Sequence, residues 1–344
     1  MPNAKTVIIE KKYAFPLFTK PETSVPLAGN QKLVISDIWA LWDYIIKKFH
    51  FEQSFMSSLI EQAKYFYKAA EESPTKSKPL LYYYSFLNFS KVLINIDKKY
   101  GKANLLYQHG VTEKNNGTFL LSEIEIQPLK NNVKNICAEL TQTLDNKAIN
   151  VKTTIKIKDL LNHCVGIHRT YCELYNQQEL FCKIGEIELK KTGRILTIDA
   201  DVQCNDKRMA ALNNVGYNIT KVGSTFNWHE EYVMPNCNLT RNQYYEFSRI
   251  IRGKGIWYFI GVDGYTNYLS LGINSRFPPE IIIYNTMFYL GSITRYHPYL
   301  FDEIFSEKEQ WLMSEFLTTQ PKQYLYLATA KVLGQNVLKS YCSF

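Results

Sequence analysis

Between Leu180 and about Asn274 the apolar residues of this chain recur at every second position, whereas on both sides of that stretch they recur at three and four. A period of two belongs to half-buried strands and a period near 3.6 to helices, so a β-rich block must lie between helical segments. The block reads as short strands, "LFCKIGEIELKK", "RILTIDADV", "YNITKVGSTFNW", "GIWYFIGV" and "TNYLSLGI", separated by Gly, Asn and Asp. Before it, "SDIWALWDYIIKKF" follows a serine suited to capping a helix, and residues 51–72, 131–145 and 157–176 also carry helical spacing. After it, helices are expected at 279–296, 307–317 and 322–338. The fold class that follows is α+β: mainly a helical bundle built from the N- and C-terminal parts, with an inserted small antiparallel β-rich region. The expected boundaries are an extended arm over 1–35, interrupted by Pro2, Pro16, Pro21 and Pro26, a helical part over 36–177, the β-rich insert over 178–275, and C-terminal helices over 276–344 that complete the core.

At 344 residues, 46% hydrophobic and 21% charged, the chain can bury a sizeable core and is not of disordered type. Its longest apolar run, Ile281–Ile293, is too short for a bilayer and contains Asn285 and Thr286, so no membrane partner is expected. The opening residues do not form a charged-then-apolar leader, and the seven cysteines are odd in number with no short repeat. Reduced thiols and a cytoplasmic location are the expectation. The net charge of +8 permits a polyanionic partner. Its distribution is sharper: all eight arginines lie at or after Arg169. Because the guanidinium offers planar, bidentate contacts to phosphate, a specific anion site is expected to draw on the second half.

Three stretches could carry chemistry. In "LLYYYSFLNFSKVLI", residues 80–94, and the helix turn beyond it, Asn88, Lys91 and Asn95 fall within an arc of about 60° on an otherwise apolar helix. This polar stripe either faces solvent, the favoured reading, or meets polar groups of another helix; for Lys91 itself the expectation is partial exposure and pairing to a carboxylate or backbone carbonyl of the C-terminal helices. In "LLNHCVGIHRTYCELY", Cys164, His168 and Cys172 are spaced by four on one helix face but would span about 12 Å, too far for one metal ion. His168 and Arg169 remain as an anion-binding pair. In "LGSITRYHPYLFDEIF", Arg295 and His297 sit at a helix end ahead of Pro298, where they could project into a cleft. No phosphate loop, zinc-protease helix or serine elbow is present, and no cofactor is expected.

The blocks "PLLYYYSFLNFSKVLI", "QHGV" (108–111), "LLNHCVGIHRTYCEL" and "SITRYHPYLF" resemble, in the same order, those of the bacterial YaaC-like family, with Val111 where that family would lead one to expect leucine. The resemblance adds His109 to the candidate ligand-binding residues. The first block also resembles the tyrosine-rich helix of HEPN domains, helical bundles common in ribonuclease toxins and antiviral systems. That likeness implies an Arg followed after four to six residues by His, and none of the eight arginines has one. The expected function is therefore a non-enzymatic binding or interaction component that recognises a phosphate-bearing partner, RNA or a nucleotide, through His109, His168, Arg169, Arg295 and His297. The alternatives are a HEPN-type ribonuclease or toxin-like enzyme of phage defence, and a purely structural subunit. A protein partner or homo-oligomer fits either.

Overall fold

The computed structural model describes residues 6–11, 25, 27, 32–49, 51, 53–96, 106–145, 147–240, 243, 246–247, 250–251, 254–261, 264–272, 277–306 and 308–340. It divides into two compact units. The β-rich one holds residues 1–22, 180–276 and 334–336, and the helical one holds 23–179, 277–333 and 337–344. The described residues form an α+β protein with ten α-helices and a large antiparallel sheet.

The β-rich unit is organised by one long strand. Strands β8 (Phe181–Thr192), β9 (Ile195–Val202), β11 (Thr225–Val233) and β10 (Ile219–Val222) run outward in that spatial order, all antiparallel. On its other edge β8 pairs through its first residues with β13 (Gly264–Ser270), which pairs β12 (Ile256–Gly261). Through its last residues β8 pairs with β1 (Thr6–Lys11). Its twelve residues carry a register shift between Ile184 and Ile187 in the pairing with β9. On the sheet surface the register sets His229 opposite Asp199, and the imidazole Nδ1 lies 2.6 Å from Asp199 Oδ1 and its Nε2 3.0 Å from Glu231 Oε1. Asp199 thus anchors a cross-strand charge ladder that also includes Lys190 and Glu188. These hydrogen bonds raise the His229 pKa above its ordinary value. A raised histidine pKa adds stability that is fully present below the unfolded value of about 6.5 and lost as pH rises through the folded value. His229→Gln should therefore lose more stability at pH 5.5 than at pH 8.5 in urea melts, by no more than about 1 kcal/mol at this partly exposed site.

The helical unit is built around two helices buried on nearly every side. Helix α3 (Lys78–Ile96) buries Tyr82, Phe86, Phe89 and Leu93, and α8 (Pro279–Tyr296) buries every residue from Pro279 to Ile293. They cross closely at Gly291, where an added Cβ would lie 3.1 Å from Tyr83 Cβ and 3.3 Å from the Pro79 carbonyl. Around them pack α1 (Ile38–Lys48), α2 (Gln53–Glu72), α4 (Ile136–Asp145) and α10 (Glu309–Leu333). Tyr324 of α10 stacks on Phe86 with centroids 4.1 Å apart and shares a 2.6 Å hydrogen bond with Ser90, while Trp42 Nε1 donates to Thr329 Oγ1 at 3.0 Å. At Tyr324 and Trp42, buried aromatic side chains thus find partners for their polar atoms, as burial demands. Short strands β3 (Leu106–Gln108) and β6 (Val133–Asn135) pair in parallel, β4 (Val111–Lys114), β5 (Glu123–Ile126) and β7 (Thr153–Lys156) form an antiparallel trio, and β2 (Leu33–Ile35) pairs with β14 (Val337–Lys339).

Two local expectations are corrected. The cap of α1 is Asp37, whose carboxylate accepts from Trp39 and Ala40 N–H at 2.9 and 3.3 Å, not Ser36. The segment 157–176 is not one helix: α5 (Ile157–Asn162) stops at His163, a 3₁₀ turn covers Val165–Ile167, and α6 (His168–Tyr175) restarts. Cys164 therefore lies in the break, and the three-residue face reduces to His168 and Cys172, with Nε2 and Sγ 3.3 Å apart. The arm's Pro2, Pro16, Pro21 and Pro26 lie outside the described residues.

Candidate functional site

Within the helical unit a cavity of about 190 Å³ opens between the first turns of α3, the turn joining β3 to β4, and the last turns of α8. Helix α3 contributes Leu80, Tyr83 and Tyr84, the turn contributes His109, β4 contributes Val111 and Glu113, and α8 contributes Phe288, Gly291, Ser292, Arg295 and Tyr296. The three "YYY" positions divide by helical angle: Tyr82 and Tyr83 are buried, and Tyr84 stacks on Phe66 with its hydroxyl accepting from Arg295 Nη1 at 3.0 Å. The Tyr83 hydroxyl contacts His109 Nδ1, and the two rings stack.

His109 is held there by its neighbour. Gly110 has φ +69°, and a Cβ on it would sit 2.8 Å from Asn135 Cβ in β6, so "HGV" is the turn that aims the imidazole toward α3. Burial, Lys91 and Arg295, in that order, lower the His109 pKa, leaving the imidazole neutral at pH 7. Arg295 is exposed, and its guanidinium lies 5.0 Å from the centroid of the exposed Tyr296 ring. Glu113 lines the same cavity, but among the described residues no carboxylate makes an ion pair with His109 or Arg295.

The other candidates lie elsewhere. His168 is 2% exposed, with Nδ1 2.7 Å from the Asn162 carbonyl and Nε2 against Cys172, so both nitrogens are engaged inside the fold. Arg169 is an exposed surface residue 3.1 Å from Glu179 Oε2. His297 ends α8 and packs edge-on against Tyr299 without lining the cavity.

The polar stripe of α3 is not a solvent edge. Asn88 is 6% exposed and donates to Gln62 Oε1 of α2 at 3.3 Å, and Asn95 Nδ2 contacts the Tyr107 hydroxyl at 2.5 Å. Lys91 is part-exposed, but its partners are Asn88 Oδ1 at 3.3 Å and the Tyr107 ring, not groups of the C-terminal helices. Tyr83, Tyr84 and Gly110 were not assigned roles by sequence reasoning. The signal for them was the coincidence of three consecutive tyrosines with a His-Gly turn.

The family model for the YaaC-like proteins matches residues 28–332. The chain belongs to that family. The match runs through every element that lines the cavity and covers the β-rich insert as well. Neither the curated proteins nor the solved structures searched contain a match. Among the described residues no helix is long and apolar enough to cross a membrane.

Proposed function

We propose that this YaaC-like protein is a non-enzymatic binding component that recognises a phosphate-bearing ligand, RNA or a nucleotide, through the cavity framed by α3, α8 and the β3–β4 turn. The observation that carries this reading is the meeting of His109 and Arg295, far apart in sequence, at one opening with three tyrosines and, among the described residues, no carboxylate ion-paired to either. The cavity is smaller than ordinary drug-sized pockets of about 300–1,000 Å³. It suits a phosphate group with part of its sugar better than an enclosed nucleotide. Arg295 supplies the bidentate charge, the Tyr84 hydroxyl orients it, and the adjacent Tyr296 offers a face for a base.

Arg295→Ala is expected to weaken binding of uridine 5′-monophosphate or a short oligouridylate about 10- to 100-fold, the range for loss of a charge-assisted hydrogen bond. Its melting temperature should barely move, because the guanidinium is exposed and its contacts among the described residues are the Tyr84 hydroxyl and the Tyr296 ring. A large fall in melting temperature with unchanged affinity would contradict the reading. Because a bound phosphate favours the charged imidazole, it raises the lowered His109 pKa. Affinity should thus increase as pH falls from the bound-state pKa toward the free-state one, and His109→Gln should flatten that slope.

A second reading has one observation in its favour. The missing Arg-to-His sequence spacing of HEPN ribonucleases is replaced here by a spatial Arg–His pair. A ribonuclease would use the neutral His109 imidazole as base. Cleavage of an oligouridylate that is lost in His109→Ala would select this reading over binding alone.

A further inference from the structure

Beside the cavity, a second set of basic groups gathers on one aromatic ring. Lys91 Nζ of α3 and Lys134 Nζ of β6 lie 5.7 and 5.3 Å from the centroid of Tyr107, and Lys134 also donates to Asn95 Oδ1 at 3.3 Å. Lys134 is 2% exposed, among the largest fully buried side chains of the protein. Neither ammonium has a carboxylate within ion-pair distance among the described residues. Burial lowers the pKa of both, opposed at Lys134 by the more distant Glu139. Two desolvated like charges sharing one ring cost stability and are not needed to fill space, since a methionine of similar volume would do so without the penalty. Their placement makes sense as a standing positive potential.

The position of that potential is set by β3. Tyr107 lies in β3, His109 is the first residue past it, and the Lys91 charge reaches the His109 imidazole. Basic groups this close suit consecutive phosphates of an extended single strand. We propose that Lys91, reinforced by the buried Lys134 beneath Tyr107, is a second anion subsite that takes the phosphate next to the one held by His109 and Arg295, so that the ligand is a single strand of nucleic acid. This inference rests on the reading of the cavity given above. The exposed rings of Tyr296 and Tyr299, at 58% and 72%, provide stacking faces for the strand's bases beyond Arg295.

The test compares uridine 5′-monophosphate, the dinucleotide pUpU and ADP on the full chain, by calorimetric titration with thermal melts alongside. The dinucleotide should bind at least tenfold tighter than the mononucleotide, with ADP lacking that gain because its phosphates are joined directly. Lys91→Met and Lys134→Met should each erase the gain of the dinucleotide over the mononucleotide, and Lys134→Met should melt at or above the wild-type temperature. A retained gain in both lysine variants would overturn the second subsite and leave the first standing. A gain with ADP equal to that with pUpU would overturn the strand in favour of a nucleoside polyphosphate. If Arg295→Ala left all affinities unchanged while the lysine variants lost them, the cavity reading would fail and the lysine site alone would survive. Absence of binding by any of the three ligands would overturn both.

Discussion

Replacing Lys331 with methionine is expected to lower stability by roughly 3–5 kcal/mol, the range for stranding a buried charge. Lys331, 2% exposed in α10, places Nζ 3.5 Å from Glu280 Oε2 and 3.7 Å from Asp145 Oδ1. Glu280 is wholly buried in the first turn of α8. Without the ammonium its buried carboxylate loses an opposite charge 3.5 Å away, and the helix N-terminus offsets only about 1 kcal/mol or less of the desolvation. The two charges are costly together and far costlier apart. The double variant Lys331→Met/Glu280→Gln should therefore recover most of the loss in urea unfolding. A single variant that cost under about 1 kcal/mol would show that the pair is not coupled in the way its burial implies.

Gly110→Ala is expected to cost roughly 2–4 kcal/mol and to lower phosphate affinity at least tenfold. Two independent penalties combine. At φ +69° an L side chain pays about 1–2 kcal/mol, and the new methyl would press to 3.0 Å on the Asn135 backbone, which cannot yield as a flexible side chain does. Relief requires the turn to move, and with it His109. Gly117→Ala provides the control, for its φ is +83° but nothing lies within 4 Å of the added Cβ. That variant should lose only the conformational part, about 1 kcal/mol, and leave binding unaltered. Equal costs at the two glycines would remove the close approach from the explanation.

The secondary structure was legible because its periods are strong. The strands from Phe181 to Ser270 and the helices α1, α2, α3 and α8 lie where alternation and three-four spacing put them. The break at His163–Ile167 was not legible, since "NHCVGIH" keeps helical spacing and its only breaker is one glycine. Within the site, Arg295 was marked by its place at a helix end and His109 by a family block, but that they meet depends on how α8 crosses α3. That crossing is fixed by Gly291, a residue with no local signal. His168 failed as a ligand for a reason invisible in one dimension: the turn folds its Nδ1 back onto the Asn162 carbonyl. Lys134 and Tyr107 drew no attention, because a lysine in a short polar strand reads as solvated until the sheet and α3 bury it to 2% exposure.

At the centre of the proposed function, His109 and Arg295 act on one phosphate. Imidazole resonances of His109, assigned by difference from His109→Gln, can be followed by NMR while uridine 5′-monophosphate is added at several pH values. The expected result is a saturable shift of the His109 signals with an upward move of its pKa on binding, both abolished by Arg295→Ala. His109 signals that stay fixed while the nucleotide binds, or that respond identically in Arg295→Ala, would contradict it.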